Sequence, residues 1–282
     1  MKILLLGGKG FIGRNFIQYC INNNLEFVCH DFDGLEFALR NQKYTICINF
    51  SGAANVQASI LEPVLDFQKN TVQTLQILEL IRLHQATVKF VNLSSAAIYG
   101  NPLTQPVHSK QTPAPLSPYG FHKLLSEKIC EEYHSVFQIQ TCSLRIFSTY
   151  GPFLQKQLFW DLYQKALSSK TIILSGTGSE SRDFIYIKDL CRAIHIIAAN
   201  GKFCGEPINV ANGEEITIRH AATVFLDKFG MDHDVQFSGI ARIGEPTNWK
   251  ADITELRNWN YKPETTFGKG IELYVKWLKE GE

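Results

Sequence analysis

Tyr119 and Lys123 stand one helical turn apart on one face of a helix, and Ser94-Ser95 ends a strand upstream of them. An ammonium beside a phenol depresses the phenol's pKa, so that it can accept or donate a proton near neutral pH. With a serine hydroxyl to hold an alcohol or ketone oxygen, this is equipment for moving a proton while a cofactor moves a hydride. Taken alone, the same residues also read as a half-exposed aromatic and a surface lysine. The surrounding chain decides between the two.

A hydride carrier needs a dinucleotide site, and the N-terminus has its parts. Residues 2–6 form an apolar strand, Gly7-Gly8-Lys9-Gly10-Phe11-Ile12-Gly13 a glycine turn, and residues 14–23 a helix. Bare backbone lets a pyrophosphate approach closely, and the helix N–H groups point at it. The candidate contacts are Gly7, Gly10, Phe11, Ile12 and Gly13. The spacing differs from the commoner G-x-G-x-x-G, and the plainer alternative is a tight strand-to-helix turn with no ligand. A second strand, residues 26–29, ends at His30-Asp31, where a carboxylate meets an adenosine ribose. Asp31 favours NAD(H) because it repels a 2′-phosphate. Asp33 or a nearby cation would blur that preference and leave NADP(H) open, and a solvated acid at a strand end is the bland alternative.

Residues 35–42 suit a short helix and residues 45–50 a buried strand, followed by the small residues Ser51-Gly52-Ala53-Ala54. Small side chains at a strand's C-terminal end let a flat cofactor lie close to backbone, so Ser51, Gly52 and Ala53 join the candidate cofactor contacts. Asn70 opens a long helix with Val72, Leu75, Leu78 and Ile81 at helical spacing; it is either a cofactor contact or simply the N-cap. The strand at 88–93 delivers Ser94-Ser95. A stiff loop with Pro102, Pro106, Pro113, Pro115 and Pro118 then leads to the helix of Tyr119 and Lys123. A strand at 141–147 turns away at Ser148-Thr149-Tyr150-Gly151-Pro152. Arg182 and Arg242 each offer a planar fork for a diphosphate, with an Arg182–Asp183 or similar surface pair as the alternative for both.

Composition narrows the class. The chain has 282 residues, 45% hydrophobic and 20% charged, with a formal net charge of +1, enough for an ordinary core and without a basic footprint for nucleic acid or an acidic membrane. Its first apolar run is too short for a signal peptide and no later run reaches membrane-spanning length, which places the expectation in the cytoplasm. Seven scattered cysteines show neither metal spacing nor a disulfide framework and read as reduced core residues, so no metal is expected. Alternating strands and helices up to about residue 150 imply an α/β fold, a doubly wound, Rossmann-like parallel sheet (1–150). A smaller C-terminal α/β substrate lobe (151–282) follows, and the chain is free to cross between the two.

Taken in order, these motifs resemble the extended short-chain dehydrogenase/reductase family, and within it the nucleotide-sugar epimerases, dehydratases and reductases. The resemblance rests on Gly7-x-x-Gly10-x-x-Gly13, Ser94-Ser95 through Tyr99-Gly100, Tyr119-x-x-x-Lys123, Arg145 through Tyr150-Gly151-Pro152, and Arg182-Asp183-Phe184-Ile185-Tyr186. Ala251-Asp252-Ile253 and Asn258-Trp259-Asn260-Tyr261-Lys262-Pro263 look like its C-terminal segment. It implies that Tyr119 is the general acid or base and that Lys123 lowers its pKa and holds the nicotinamide ribose. Ser95, with Ser94 as the adjacent candidate, would bind the reacting oxygen, and Arg182 and Arg242 the diphosphate of a nucleoside-diphosphate sugar. It also implies a homodimer through the helices near Asn70 and Tyr119, where Leu75, Leu78, Ile129 and Tyr133 would serve an interface or just the core. Three departures qualify it. Ala96 and Ala97 stand where the 4,6-dehydratases resemble one another in carrying an Asp-Glu pair, which argues against loss of water. Ser148 replaces the usual Asn that meets the nucleotide's phosphate. The short segment between Asp31 and Thr45 curtails the adenine side. The resulting expectation is hydride transfer at C4 of a nucleoside-diphosphate hexose, as a 4-keto reductase or a 4-epimerase that retains NAD, with a non-catalytic nucleotide-binding relative as a third reading.

Overall fold

Short apolar runs alternating with amphipathic stretches build a parallel sheet flanked by helices, in a computed structural model that describes residues 1–230, 232–240 and 242–280. The first half runs β1 (Ile3–Leu6), α1 (Phe11–Asn22), β2 (Phe27–His30), α2 (Leu35–Asn41), β3 (Ile46–Asn49), α3 (Val56–Leu61), α4 (Pro63–Phe67), α5 (Gln73–His84), β4 (Lys89–Ser95), α6 (Pro118–Phe137) and β5 (Thr141–Ile146). The second half runs β6 (Ser148–Tyr150), α7 (Gln157–Ser168), β7 (Thr171–Leu174), β8 (Ser181–Arg182), β9 (Phe184–Tyr186), α8 (Ile187–Asn200) and β10 (Cys204–Val210). It ends with β11 (Ile216–Thr217), α9 (Ile218–Phe229), β12 (Asp234–Phe237), α10 (Thr254–Asn258) and α11 (Phe267–Glu280).

The main sheet has the order β10-β5-β4-β3-β1-β2, with every pairing parallel. Alternate residues of its strands feed two cores, as the pleat requires. Ile3, Leu5, Ile46 and Ile48 join Phe16 and Cys20 of α1 and Leu190 and Ile194 of α8. Leu4, Leu6 and Cys47 join Leu35, Ile77, Leu78, Cys130 and Tyr133 from α2, α5 and α6. Burying each such Leu or Ile contributes about 1.5–3 kcal/mol relative to exposure, which fixes the register from both faces. Leu78 and Tyr133 are thereby core residues, whereas Leu75 is exposed.

Topology decides where a ligand can sit. From β1 the chain steps to β2 on one side and then returns to β3 on the other, so the crevice opens at the carboxyl ends of β1 and β3. Beyond residue 150 the chain comes back to the main sheet: β10 pairs with β5, and α8 packs on the face covered by α1. The position near 150 therefore marks the end of the first five strands, and the second half supplies the edge strand. The rest of that half forms three two-stranded pairings, β6 with β9, β8 with β11 and β7 with β12, backed by α9 and α11.

Two sequence expectations change here. The helix assigned to Asn70 begins earlier, at Pro63, and Asn70 lies inside a π-helical turn, Gln68–Val72, that joins α4 to α5, so it is not an N-cap. Two short helices and a proline at the first helical position concealed the true start. The cysteines are all free, but Cys29 and Cys204 are exposed and only the other five lie in the core. Among the described residues no helix is long and apolar enough to cross a membrane.

Candidate active site

Ser95 and Tyr119 are brought together by two local devices. Ser95 ends β4 and caps a 3-10 turn, Ala96–Tyr99, where its Oγ accepts from Ala97 N at 3.2 Å. Ser117 caps α6 by accepting from Gly120 N, and Pro118 occupies the first helical position, which sets Tyr119 in the first turn. A Cβ on Gly120 would lie 2.7 Å from Ala97 O, so the helix start rests directly on the turn that follows Ser95. Both Ser95 and Tyr119 line a cleft of about 630 Å³.

The two upstream serines separate cleanly. Ser94 Oγ donates to Glu127 at 2.5 Å, and Glu127 is also gripped by Arg145 at 2.7 Å, all of them buried. Both serines line the cleft, but the Ser94 hydroxyl is committed to Glu127, and Ser95 is the serine hydrogen-bonded to Tyr119.

Lysine and phenol do not interact as the spacing suggested. Lys123 Nζ donates to Leu93 O at 2.8 Å and lies 6.0 Å from the Tyr119 ring centre. Burial pushes the phenol up to about 12, and a hydrogen bond from Ser95 only partly offsets this. Burial also pulls Lys123 down to about 8, against the charges of Asp66 and Glu127, which raise it. The expected depression of the Tyr119 pKa is therefore absent. At neutral pH the tyrosine is a phenol and the lysine an ammonium.

The residues proposed for the dinucleotide converge on the same crevice. Gly7 has φ +75°, and a Cβ there would run into the Ser51 backbone; a Cβ on Gly13 would run into Gly7 O. The glycine turn and the loop after β3 touch at a distance that only glycine allows. Gly10, Phe11, Ile12, Ser51, Gly52 and Ala53 line the cleft. Gly52 has φ +119°, and a Cβ there would lie 2.8 Å from Asn70 Oδ1 and 3.6 Å from Lys123 Nζ. Asn70 is 2% exposed, and both its side-chain polar atoms lack a hydrogen-bond partner. A buried amide left without partners beside Lys123, next to a glycine cradle, fits a ligand that brings its own polar groups. A nicotinamide ribose has them. Asp31 is exposed and pairs with Lys9 Nζ at 2.8 Å.

At the other end of the cleft Arg182 lies beneath Trp249, 5.4 Å from the ring centre, and donates to Ser181 O and Thr247 O. The neighbouring Asp183 does not pair with it. Asp183 is fully buried and accepts from the backbone N–H groups of Asn212, Gly213 and Ala251, which excludes an Arg182–Asp183 pair; the carboxylate that pairs with Arg182 is Glu245. Arg242 donates to Ser175 Oγ at 3.1 Å. Glu245 stands between the two arginines, 3.6 Å from Arg182 and 3.8 Å from Arg242. Ser148, in β6 beside β9, also lines the cleft.

Several site residues escaped sequence reasoning. Lys156 reaches into the cleft and donates to Ala54 O at 2.9 Å, its pKa lowered by burial. Asp66, 4% exposed, takes His122 Nδ1 at 2.6 Å one residue before Lys123. Glu245 and Lys9 complete the set. Each is a lone charged side chain whose partner is distant in the chain, and no periodic pattern marks such a residue.

With this geometry in place, the profile of the NAD dependent epimerase/dehydratase family matches residues 3–211. The chain belongs to that family. It is an enzyme of the nucleotide-sugar epimerase and dehydratase group. Its relatives include a chain of Methanocaldococcus jannaschii provisionally named UDP-glucose 4-epimerase, 28% identical over 98% of each chain. A dTDP-glucose 4,6-dehydratase of Xanthomonas campestris is 25% identical over 97% of this chain and 92% of its own. Among solved structures, the UDP-glucuronic acid 4-epimerase of Bacillus cereus in complex with UDP-glucuronic acid and NAD superposes with TM-score 0.89 and 26% identity. It covers 99% of each chain. The extended short-chain dehydrogenase/reductase resemblance and the Rossmann-like α/β expectation hold at the level of family and fold.

Proposed function

We propose that this family member transfers hydride at C4 of a nucleoside-diphosphate hexose, with Tyr119 as the proton-exchanging group and NAD(H) as the favoured cofactor. The observation that carries the reading is the convergence of Ser95, Tyr119, Lys123 and the Gly52 cradle in one cleft, with the unpartnered Asn70 buried directly against Gly52. The nicotinamide, when bound, supplies or accepts the hydride. Lys123 and Asn70 hold its ribose, and Gly7, Gly10, Phe11, Ile12 and Gly13 receive its pyrophosphate. Ser95 Oγ steadies the sugar oxygen, and Tyr119 Oη exchanges that oxygen's proton. Arg182 and Arg242 take the diphosphate in place of Glu245.

Loss of water has little support from the chain's own groups. Ala96 is fully buried in a small apolar cluster, and Ala97 presents a methyl group to the cleft. The cleft's carboxylates are otherwise engaged: Asp161 with Lys165, Glu180 with the Thr177 and Gly178 backbone, and Glu245 with the arginines.

Two outcomes share the constellation. A neutral Tyr119 phenol is poised to give a proton to a forming alkoxide, and the exposed Asp31–Lys9 end suits a cofactor that comes and goes; both favour 4-keto reduction. The relatives named for 4-epimerisation favour the alternative, in which NAD stays bound and the keto sugar turns over before it is reduced. Denaturing the purified protein and assaying the supernatant for nicotinamide separates them. Empty protein is expected for the reductase, and stoichiometric NAD would overturn it in favour of the epimerase.

The same reading includes a homodimer. Leu61, Val64, Phe121 and Leu125 lie exposed on α3, α4 and α6, three helices that pack on one another. Light scattering that returned a monomer mass at micromolar protein would remove this part of the proposal.

A further inference from the structure

Four cations line the cleft among the described residues: Lys123, Lys156, Arg182 and Arg242. Three of them have a carboxylate to answer their charge. Glu245 lies within salt-bridge distance of both arginines, and Asp66 and Glu127 act on Lys123. Lys156 has none. Its ammonium donates to a single backbone carbonyl, Ala54 O at 2.9 Å, and burial lowers its pKa with no carboxylate to offset the fall. A charge partly withdrawn from water onto one neutral acceptor, with donors to spare, is costly unless a ligand completes it.

The segment that carries Lys156 is held in place. Ahead of it the chain is fastened to α1, where Asn15 Nδ2 donates to Pro152 O at 3.0 Å and Arg14 lies 5.7 Å from the Phe153 ring centre. Leu154 is buried in the main core. Phe153 and Gln157, on either side of Lys156, hold φ +72° and +66°, a region that residues with a side chain adopt at a cost. Such strain persists only where the surrounding packing enforces it, and here it brackets the one cation of the cleft that lacks a counter-charge.

What flanks Ala54 locates the ammonium. Two residues before it, a Cβ on Gly52 would lie 3.6 Å from Lys123 Nζ; two residues after it, Val56 Cγ1 would lie 3.2 Å from a Cβ on Gly244, the neighbour of Glu245. Gln57 Nε2 also donates to Ile243 O at 3.1 Å. Two residues span about 7 Å at most, so Ala54 O, and Lys156 with it, stands between the Tyr119 end and the arginine end. In the function proposed, the hexose spans that interval, with C4 at Tyr119 and its diphosphate at Arg182 and Arg242. We infer that Lys156 is a substrate-specificity residue that pairs with an acidic substituent of the hexose, so that the substrate is a nucleoside-diphosphate hexuronic acid. The inference rests on that reading of the cleft and is the same for a reductase or an epimerase. Ala54 O keeps one donor of the ammonium, and the sugar carboxylate takes another.

Calorimetry with UDP-glucose, UDP-glucuronic acid, dTDP-glucose and dTDP-glucuronic acid tests this on the full-length protein, stripped of endogenous cofactor and saturated with NADH. With at least one of the two nucleotides, the acid is expected to bind about tenfold or more tighter than the neutral sugar. Lys156→Met keeps the stem and removes the charge. It is expected to cancel that preference by weakening the acid about tenfold or more, with the neutral sugar within about twofold of the wild type. Lys156→Arg is expected to restore part of the preference. Neutral sugar bound as tightly as the acid by the wild type would overturn the inference and leave hydride transfer at C4 standing. So would an acid preference that survives Lys156→Met. Equal loss of both sugars would place Lys156 on the diphosphate, and loss of NADH would place it on the cofactor; either result would overturn the inference. Binding of none of the four by a folded wild type, checked by thermal melting, would remove the sugar-nucleotide reading itself and the inference with it.

Discussion

The two ends of the cleft are built differently. Around Tyr119 the side-chain polar groups are held by backbone, Lys123 by Leu93 O and Ser95 by Ala97 N, and the Tyr119 backbone N–H donates to Ser59 Oγ. Around Arg182 and Arg242 the charges are balanced by other side chains, with Glu245 between the arginines and Asp161 at 3.6 Å from Arg242, although Arg182 also donates to the Ser181 and Thr247 carbonyls. In the function proposed, the Tyr119 end waits for a ligand with matching groups, while the arginine end would exchange Glu245 for the substrate's diphosphate. On that proposal, positioning would govern turnover at the first end and counter-ion exchange affinity at the second.

Substitutions can break that contrast. Tyr119→Phe, which keeps the ring and its packing, is expected to lower kcat by about 10²–10⁴-fold with NAD⁺ affinity intact, as steady-state rates and calorimetry would report. Arg182→Ala is expected to act chiefly on KM for the sugar nucleotide, raising it by about tenfold or more, since charge-assisted bonds of about 1.5–3 kcal/mol are lost. An equal fall in kcat with unchanged KM would show that the two ends are not separable. Glu245→Gln should do the opposite, lowering KM a few-fold by removing the competing carboxylate. A higher KM would mean that Glu245 itself holds the substrate.

The smallest effect concerns pH. Lys123 is pulled down to about 8, so its charge, and activity with it, is expected to fall as pH rises through that value. Asp66 raises the Lys123 pKa, and Asp66→Asn removes that charge. The alkaline limb of the kcat/KM profile should therefore move to lower pH, and a limb that stays put would show that Asp66 acts only through its bond to His122.

Much of this arrangement was legible in the sequence because it is written in local signals. The glycine turn, the apolar strands, and the serine and tyrosine that begin and end a proline-rich loop each carry a spacing that physics restricts. Ser95 is favoured over Ser94 by the resemblance alone; the engagement of Ser94 is not legible, since it depends on Glu127, gripped by Arg145, reaching it from α6. The Tyr119 pKa was misjudged for a related reason. Helical spacing places Lys123 on the right face, but the Leu93 carbonyl decides where its amine points. Asn70 looked like a cap because the helix before it is broken into short pieces. Lys9, Asp66, Lys156 and Glu245 were invisible because their meaning lies in partners supplied by the fold.

The most direct test is a single turnover with a nicotinamide cofactor deuterated at its transferable position and a nucleoside-diphosphate 4-keto-hexose, with the product analysed by mass spectrometry and NMR. Deuterium at C4 of the sugar in the wild type, and its loss in Tyr119→Phe that still binds cofactor, is the result expected. Deuterium at another carbon, a product lacking the elements of water, or undiminished transfer by Tyr119→Phe would contradict the assignment of hydride chemistry at C4 to Tyr119.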